Sequence, residues 1–173
     1  IMPSLVGSEM CIRDRFKTTA PDPSALMRAI QTAAADDSLT RFMSQEEWAI
    51  LANYLDVETL PRGHILTAKG ALDRTVYFVE SGTLRILYGA ESDRNAIAVL
   101  GAGSVVGEGA FFSQRERNAT VQATAVCRIW SLEVGRFDAL RRKHPTVALS
   151  LAMALGATAA GRMLDLTKRF VVV

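Results

Sequence analysis

A chain of 173 residues in which 49% of the side chains are hydrophobic has the length of one domain with a real core, and it is too apolar to be disordered throughout. Its 20 basic and 18 acidic residues leave a formal charge of +2, which excludes the broad cationic field that holds a nucleic-acid backbone without regard to sequence.

In chain order, the first fifteen residues stand apart. The stretch LVGSEMCIRDR, Leu5–Arg15, reads like the translation of a sequencing-library adapter. Ile1–Arg15 is therefore treated as an artefactual leader, with the natural chain starting at or upstream of Phe16. Removing it leaves one cysteine, Cys127, inside the apolar run VCRIW, where a small core hydrophobe is expected. Disulfides, Cys-based zinc sites and Cys-ligated clusters are then excluded. No charged-then-apolar signal peptide opens the chain, which favours a cytoplasmic location.

Residues 16–37 are expected to form a lead-in and a helix. Thr, Pro and Asp dominate Phe16–Ser24, and from Ala25 to Ala35 Leu26, Met27, Ile30 and Ala34 recur on one helical side. Ser44 followed three residues later by Glu47 is a capping box, so a second helix is predicted from Gln45 to about Leu55. From Asp56 the period changes. VETL, HILT, TVYFVE, TLRILYG, NAIAVL, ATVQAT and VCRIWS are short β-branched or aromatic runs separated by turn signals such as PRG, KGALD, SG, ESDRN and GAG. Short strands at intervals of about ten residues predict a sandwich or jelly-roll barrel.

Helical spacing returns at EVGRFDALRRKH and again after Pro145, a residue suited to a first helical turn. The last helix is expected to reach about Arg169. Val147–Gly161 is weakly polar but shorter than the roughly 20 residues of a membrane span, and it is full of small residues. A packed helix of a soluble protein is expected there. Val147, Leu151, Leu155, Ala159, Met163, Leu166 and Phe170 line up at three- to four-residue steps, with Ala152, Gly156 and Ala160 adding small residues four apart.

Enzymatic readings find no support. His64 and His144 have no Cys, His or paired carboxylate at metal-ligand spacing, and no nucleophile elbow, P-loop or dinucleotide fingerprint is present. Neither a metal nor a cofactor is expected. Arg136, Arg141, Arg142 and Lys143 read as a solvated helix face.

The order of helices, β-roll and two further helices, with the stretch LDRTVYFVESGTLRILYG and above all GEGAFFSQRERNATV, Gly107–Val121, resembles the cyclic-nucleotide-binding domains of the catabolite-activator (Crp-Fnr) type. The likeness rests on Gly107, Glu108, Arg117, Ala119, Thr120 and Val121 together with the strand rhythm. It implies a mainly β fold with flanking helices: a jelly-roll-like double-stranded β-helix over 38–144, N-terminal helices before it, and a C-terminal dimerisation helix over 145–173.

By this resemblance Gly107–Val121 is a phosphate-binding cassette. A cyclic nucleotide presents a phosphodiester, which calls for a guanidinium, and a ribose 2′-hydroxyl, which calls for a fixed carboxylate. Arg117 and Glu108 are the respective candidates. Gly109 and Ala110 open a short helix whose N–H groups would favour the anion. Gly107 and Gly109 let backbone approach a ligand, Ala119 leaves room, and Asn118 and Thr120 are further polar candidates. Phe111 and Phe112 are expected to anchor the cassette, while Arg115 reads as a solvated loop charge. On the terminal helix Thr158 and Arg162 fall where the family's base contacts lie, although Arg162 and Met163 are not the small hydroxyl residue expected, so the base is not assigned.

The implied function is a cyclic-nucleotide (cAMP-like) sensor that signals through its C-terminal helix, commonly the dimer helix of the family. The competing expectations are a degenerate module that binds no nucleotide and serves interaction or dimerisation, and a truncated Crp-Fnr-type transcription regulator. Because the chain stops at RFVVV with no helix-turn-helix after it, no DNA binding is expected, and no membrane partner.

Overall fold

A computed structural model describes residues 21–33, 38–88 and 95–170. The leader Ile1–Arg15 lies outside them.

Among the described residues three helices precede the sheets. Helix α1, Ser24–Thr32, buries Leu26 and Ile30, and its C-cap Ala33 is already extended. Helix α2, Ser38–Phe42, has five residues, too few for the hydrophobic period to be seen in sequence. In helix α3, Gln45–Ala52, Ser44 Oγ accepts from the Glu47 N–H at 3.2 Å while a Glu47 oxygen accepts from the Ser44 N–H at 2.8 Å, the expected capping box. The helix ends short of Leu55. Asn53 donates its side-chain amide to the carbonyls of Ala49 and Ile50, at 3.0 and 3.1 Å, and so takes the acceptors that a further turn would use.

Among the described residues eight strands follow: β1 (Asp56–Leu60), β2 (Ile65–Thr67), β3 (Val76–Ser81), β4 (Leu84–Tyr88), β5 (Asn95–Leu100), β6 (Val105–Val106), β7 (Thr120–Ala123) and β8 (Cys127–Leu132). They form two four-stranded antiparallel sheets, ordered β1-β8-β3-β6 and β2-β7-β4-β5, the jelly-roll plan predicted. A two-residue strand such as β6 carries no alternation of its own, so sequence rhythm does not reveal it.

In the first sheet, β3 and β8 contribute buried side chains on both faces. Val76 and Phe78 of β3, with Trp130 and Leu132 of β8, point to a core closed by the helices; Trp48 meets Phe78 edge to face at 5.6 Å. The alternate residues Tyr77, Val79, Cys127 and Ile129 point between the sheets and meet Leu84, Val121 and Ala123. Cys127 is fully buried there, the core role expected of it.

Between β6 and β7 lies helix α4 (Glu108–Ser113), and after β8 come α5 (Val134–Lys143) and α6 (Pro145–Phe170). Arg136 of α5 pairs with Asp56 at 2.9 Å and Arg141 with Asp138 at 2.7 Å, on a partly solvated face.

Pro145 opens α6, as predicted. The single apolar stripe expected along it divides in two. Val147, Leu151 and Leu155 are buried in the helix-side core, whereas Met163 is 69% exposed; the side chains of Leu166 and Phe170 lie outside the described residues. Steps of four residues advance by about 40° beyond a full turn, so such a stripe winds round an α-helix rather than following one face. Pro145–Leu164, 20 residues with a mean hydropathy of 1.5, is long and apolar enough to cross a membrane, beyond the Val147–Gly161 run read from sequence. Here Ala148, Leu151, Ala154 and Leu155 of that segment pack into the domain.

Candidate functional site

The site is built where β6 runs into α4. Gly107 is the N-cap of α4 with φ +94°, and a Cβ on it would sit 2.5 Å from both Arg117 Nη1 and the Thr75 carbonyl oxygen. Glycine is required there by backbone conformation and by the approach of the guanidinium. Glu108 begins the six-residue helix, which Gln114 ends in a left-handed conformation at φ 60°. Phe111 is buried and meets Phe137 edge to face at 5.2 Å, whereas Phe112 is 44% exposed. The anchor is therefore one ring; helical geometry turns consecutive side chains about 100° apart, so both cannot face one core.

The loop after α4 is exposed at Arg115, as expected, and returns at Arg117. Arg117 N–H donates to Ala71 O and Gly70 N–H to Arg117 O, both at 2.8 Å, which ties the loop to the turn at 69–73. Alternation along 117–121 then sends Arg117, Ala119 and Val121 inward; all three are buried. Arg117 is only 4% exposed, and its guanidinium carbon lies 5.7 Å from the centre of the Tyr77 ring.

Four of its five N–H donors are engaged. Nε donates to Asp73 Oδ2 at 3.1 Å and Nη2 to Asp73 Oδ1, a bidentate pair; Nη2 also donates to Thr75 O at 2.7 Å and Nη1 to Gly107 O at 3.3 Å. Those bonds from Arg117 hold the Asp73 carboxyl below the usual carboxylate range, against the opposing effect of burial.

Glu108, 8% exposed, is also held within the chain. Its Oε1 accepts from Arg162 Nη1 of α6 at 2.5 Å, and Arg162 Nη2 donates to Val105 O at 2.7 Å. The structure thus brings together Gly107, Glu108, Arg117 and Arg162.

The other candidates are placed differently. Asn118 is exposed and Ala119 buried. Thr120 is buried, with its hydroxyl oxygen accepting from the Lys69 N–H at 3.1 Å. Thr158 is 3% exposed and donates to Ala154 O of its own helix at 3.1 Å. Ala110 is buried, and open space surrounds Gly109. The N–H groups of Glu108, Gly109 and Ala110 precede the first bond of the helix, Phe111 N–H to Gly107 O, and have no partner along it.

Sequence reasoning missed Asp73 and Arg74. Arg74 donates through Nε and Nη2 to Phe111 O, at 3.3 and 2.8 Å, and steadies the C-terminal end of α4. KGALD reads as a turn, and its Asp acquires a second role only because the fold brings residue 117 beside it. The recess of about 50 Å³ lined by Met27, Ile30, Met43 and Trp48 belongs to helix packing and is remote from this constellation.

Chemically, the arrangement is two ion pairs made within the chain. A buried guanidinium already holds one carboxylate in its fork, and a second carboxylate nine positions earlier is clamped by an arginine from the last helix.

Residues 57–144 match the family described as the cyclic nucleotide-binding domain. Over 109 residues the chain is 30% identical to the human potassium/sodium hyperpolarization-activated cyclic nucleotide-gated channel 3, a match covering 59% of this chain and 14% of the channel. Among solved structures it is similar to a cyclic nucleotide-binding domain from Methylobacillus flagellatus, with a TM-score of 0.73, 18% identity, and coverage of 85% of this chain and 83% of that one. It is also similar to the Thermus thermophilus catabolite activator protein, with a TM-score of 0.63, 27% identity, and coverage of 75% of this chain and 62% of that one.

Proposed function

The chain belongs to the cyclic nucleotide-binding domain family, and from that premise we propose that it is a regulatory sensor whose cassette takes a cyclic nucleotide between Glu108 and Arg117. The observation that carries the reading is the position of Arg117. This guanidinium is turned into the β-roll beside Tyr77, and its acceptors are the Asp73 carboxylate and the backbone carbonyls of Thr75 and Gly107. Within the chain Asp73 supplies the anion. A cyclic phosphodiester would take over part of that fork, the free Nη1 donor included, and the ribose hydroxyl would meet the carboxylate of Glu108. Gly107, Gly109 and Ala110 line the approach with backbone, and Asn118, Ala119 and Thr120 follow Arg117 along the wall.

Transmission follows from the second ion pair. Arg162 joins α6 to the carboxylate that the ribose would engage, so ligand and helix bear on one residue. A ligand that binds better when this pair is altered shifts the helix population. The face of α6 turned from the domain carries Leu149, Met153, Gly156, Ala160 and Met163, all exposed. Their spacing of four, three, four and three residues is that of a coiled-coil seam. We assign that face to pairing with a second copy, in the cytoplasm, and we assign the domain no catalytic chemistry.

One observation favours a second reading. With Arg117 held by Asp73 and Glu108 by Arg162, both charges are satisfied without ligand, as in a module that keeps the fold for interaction alone. Thermal melting separates the two. Cyclic AMP, cyclic GMP and a cyclic dinucleotide are each added to wild type, Arg117→Lys and Glu108→Gln. A ligand at 100 times its Kd adds about 2.7 kcal/mol to the wild type, and both variants are expected to lose most of that gain at equal concentration. No shift with any of the three, or shifts unaltered in both variants, establishes the ligand-free module instead.

A further inference from the structure

Among the described residues, Thr67 Oγ1 is a buried side-chain oxygen with no hydrogen-bond partner. The residue is 5% exposed. A buried hydroxyl that no protein group bonds is unfavourable, and a native chain keeps one where something else completes it.

Its direction is set by a β-bulge. Ile65 pairs with Gln122 and Thr67 with Val121, so the register slips by one residue at Leu66. Ile65, 44% exposed, and Gln122, which bonds Arg85 and Gly63 O, lie on the outer face of the sheet. Without the slip Thr67 would share that outer face; with it, Thr67 stands opposite Val121, a member of the inter-sheet core.

The row across the inner face reads Thr67, Val121, Ile86, Ala98. Thr67 is its one polar side chain, and Ile86 and Ala98 keep partial exposure, so the row opens at its far end. Arg117 lies on the same inner side, with its guanidinium beside the ring of Tyr77, a member of that core.

We propose that the Thr67 hydroxyl is a hydrogen-bonding contact for the base of the bound nucleotide. The inference rests on the sensor reading. With the phosphate at Arg117 and the ribose at Glu108, the base is the part of the ligand that extends away from the charged end, along a wall that is otherwise apolar. A single hydroxyl in that wall meets a ring nitrogen or an exocyclic group and reads the edge of the base.

Thr67→Val keeps the branched shape and removes the hydroxyl; Thr67→Ser keeps the hydroxyl. Free protein is melted first. Thr67→Val is expected to raise Tm by roughly 2–4 °C, since it deletes an unsatisfied group. A fall in Tm means that the hydroxyl has a partner in the free protein, and it overturns the proposal. Cyclic AMP and cyclic GMP are then titrated by calorimetry into wild type, Thr67→Val, Thr67→Ser and Arg117→Lys.

The expected result is a fall of about 3- to 10-fold in the affinity of Thr67→Val for the better ligand. The ratio between the two nucleotides should shift by a similar factor, with Thr67→Ser near wild type. Unchanged affinity in Thr67→Val, alongside a loss in Arg117→Lys, overturns the Thr67 contact and leaves the sensor reading standing. An equal fall for both nucleotides overturns the assignment to the base. Absence of binding to wild type overturns both readings together.

Discussion

At the scale of single residues, the proposed sensor role makes the pair Arg117–Asp73 the point at which a ligand competes. Both the carboxylate and a phosphodiester want the same guanidinium fork, so removing the negative charge while keeping the shape, in Asp73→Asn, is expected to tighten binding of cyclic AMP by about 3- to 10-fold. Weaker binding in that variant would mean instead that Asp73 orients Arg117 for the ligand.

The same residue gives a pH signature with a definite sign. The folded-state pKa of Asp73 is lowered by its bonds from Arg117, so its contribution to stability is present above the ordinary Asp value near 4 and is lost as pH falls through the folded-state value. The Tm difference between wild type and Asp73→Asn should be constant from about pH 5 to 7 and shrink below about pH 4. A difference that does not shrink at all between pH 5 and pH 3 would show that the carboxylate charge is not what the site uses. The candidates Glu108 and Arg117 were legible in the sequence because the cassette is contiguous. Asp73 was not, for it lies 44 positions from its partner and nothing local distinguishes it from a turn residue.

At the scale of elements, local signals decided what could be read. The capping box at Ser44 and Glu47, the proline that opens α6 and the alternating runs of β3 and β8 each carry their cause within a few residues, and each appears where predicted. The end of α3, the two-residue β6 and the inward turn of Thr67 depend on Asn53, on strand pairing and on a bulge, which no hydrophobic period encodes. The role of Arg162 is likewise a matter of assembly: α6 crosses the start of α4 and the arginine reaches Glu108 and Val105 O. Because Arg162 is 36% exposed, the pair is expected to stabilise the distal helix by only about 1 kcal/mol. Arg162→Gln should then speed amide hydrogen exchange of residues 159–164 about fivefold while leaving β3 and β8 unchanged. Equal exchange in that segment would remove the pair as the link between cassette and helix.

At the scale of the whole molecule, the fold has two cores that share one sheet, and only the helix-side core involves α6. Val147, Leu151, Ala154 and Leu155 seat the first half of that helix firmly. Its opposite face leaves Leu149 62%, Met153 51% and Met163 69% exposed, with Gly156 and Ala160 between them to admit a close neighbour. Such a seam buries little in an isolated chain and much when two copies pair, and small residues at alternate layers let the helices approach. The proposed pairing therefore uses the Leu149 face, whereas the Leu151 face belongs to folding, and the two respond differently to substitution. Leu149→Glu with Met153→Glu should give a folded monomer by sedimentation at micromolar concentration, with Tm measured at low protein concentration close to that of wild type. Leu151→Ala should instead lower stability by about 2–5 kcal/mol by opening a cavity in the core. A wild-type chain that sediments as a monomer at the same concentration would assign the exposed seam to some other partner and would require the signal carried by Arg162 to leave the domain by that route.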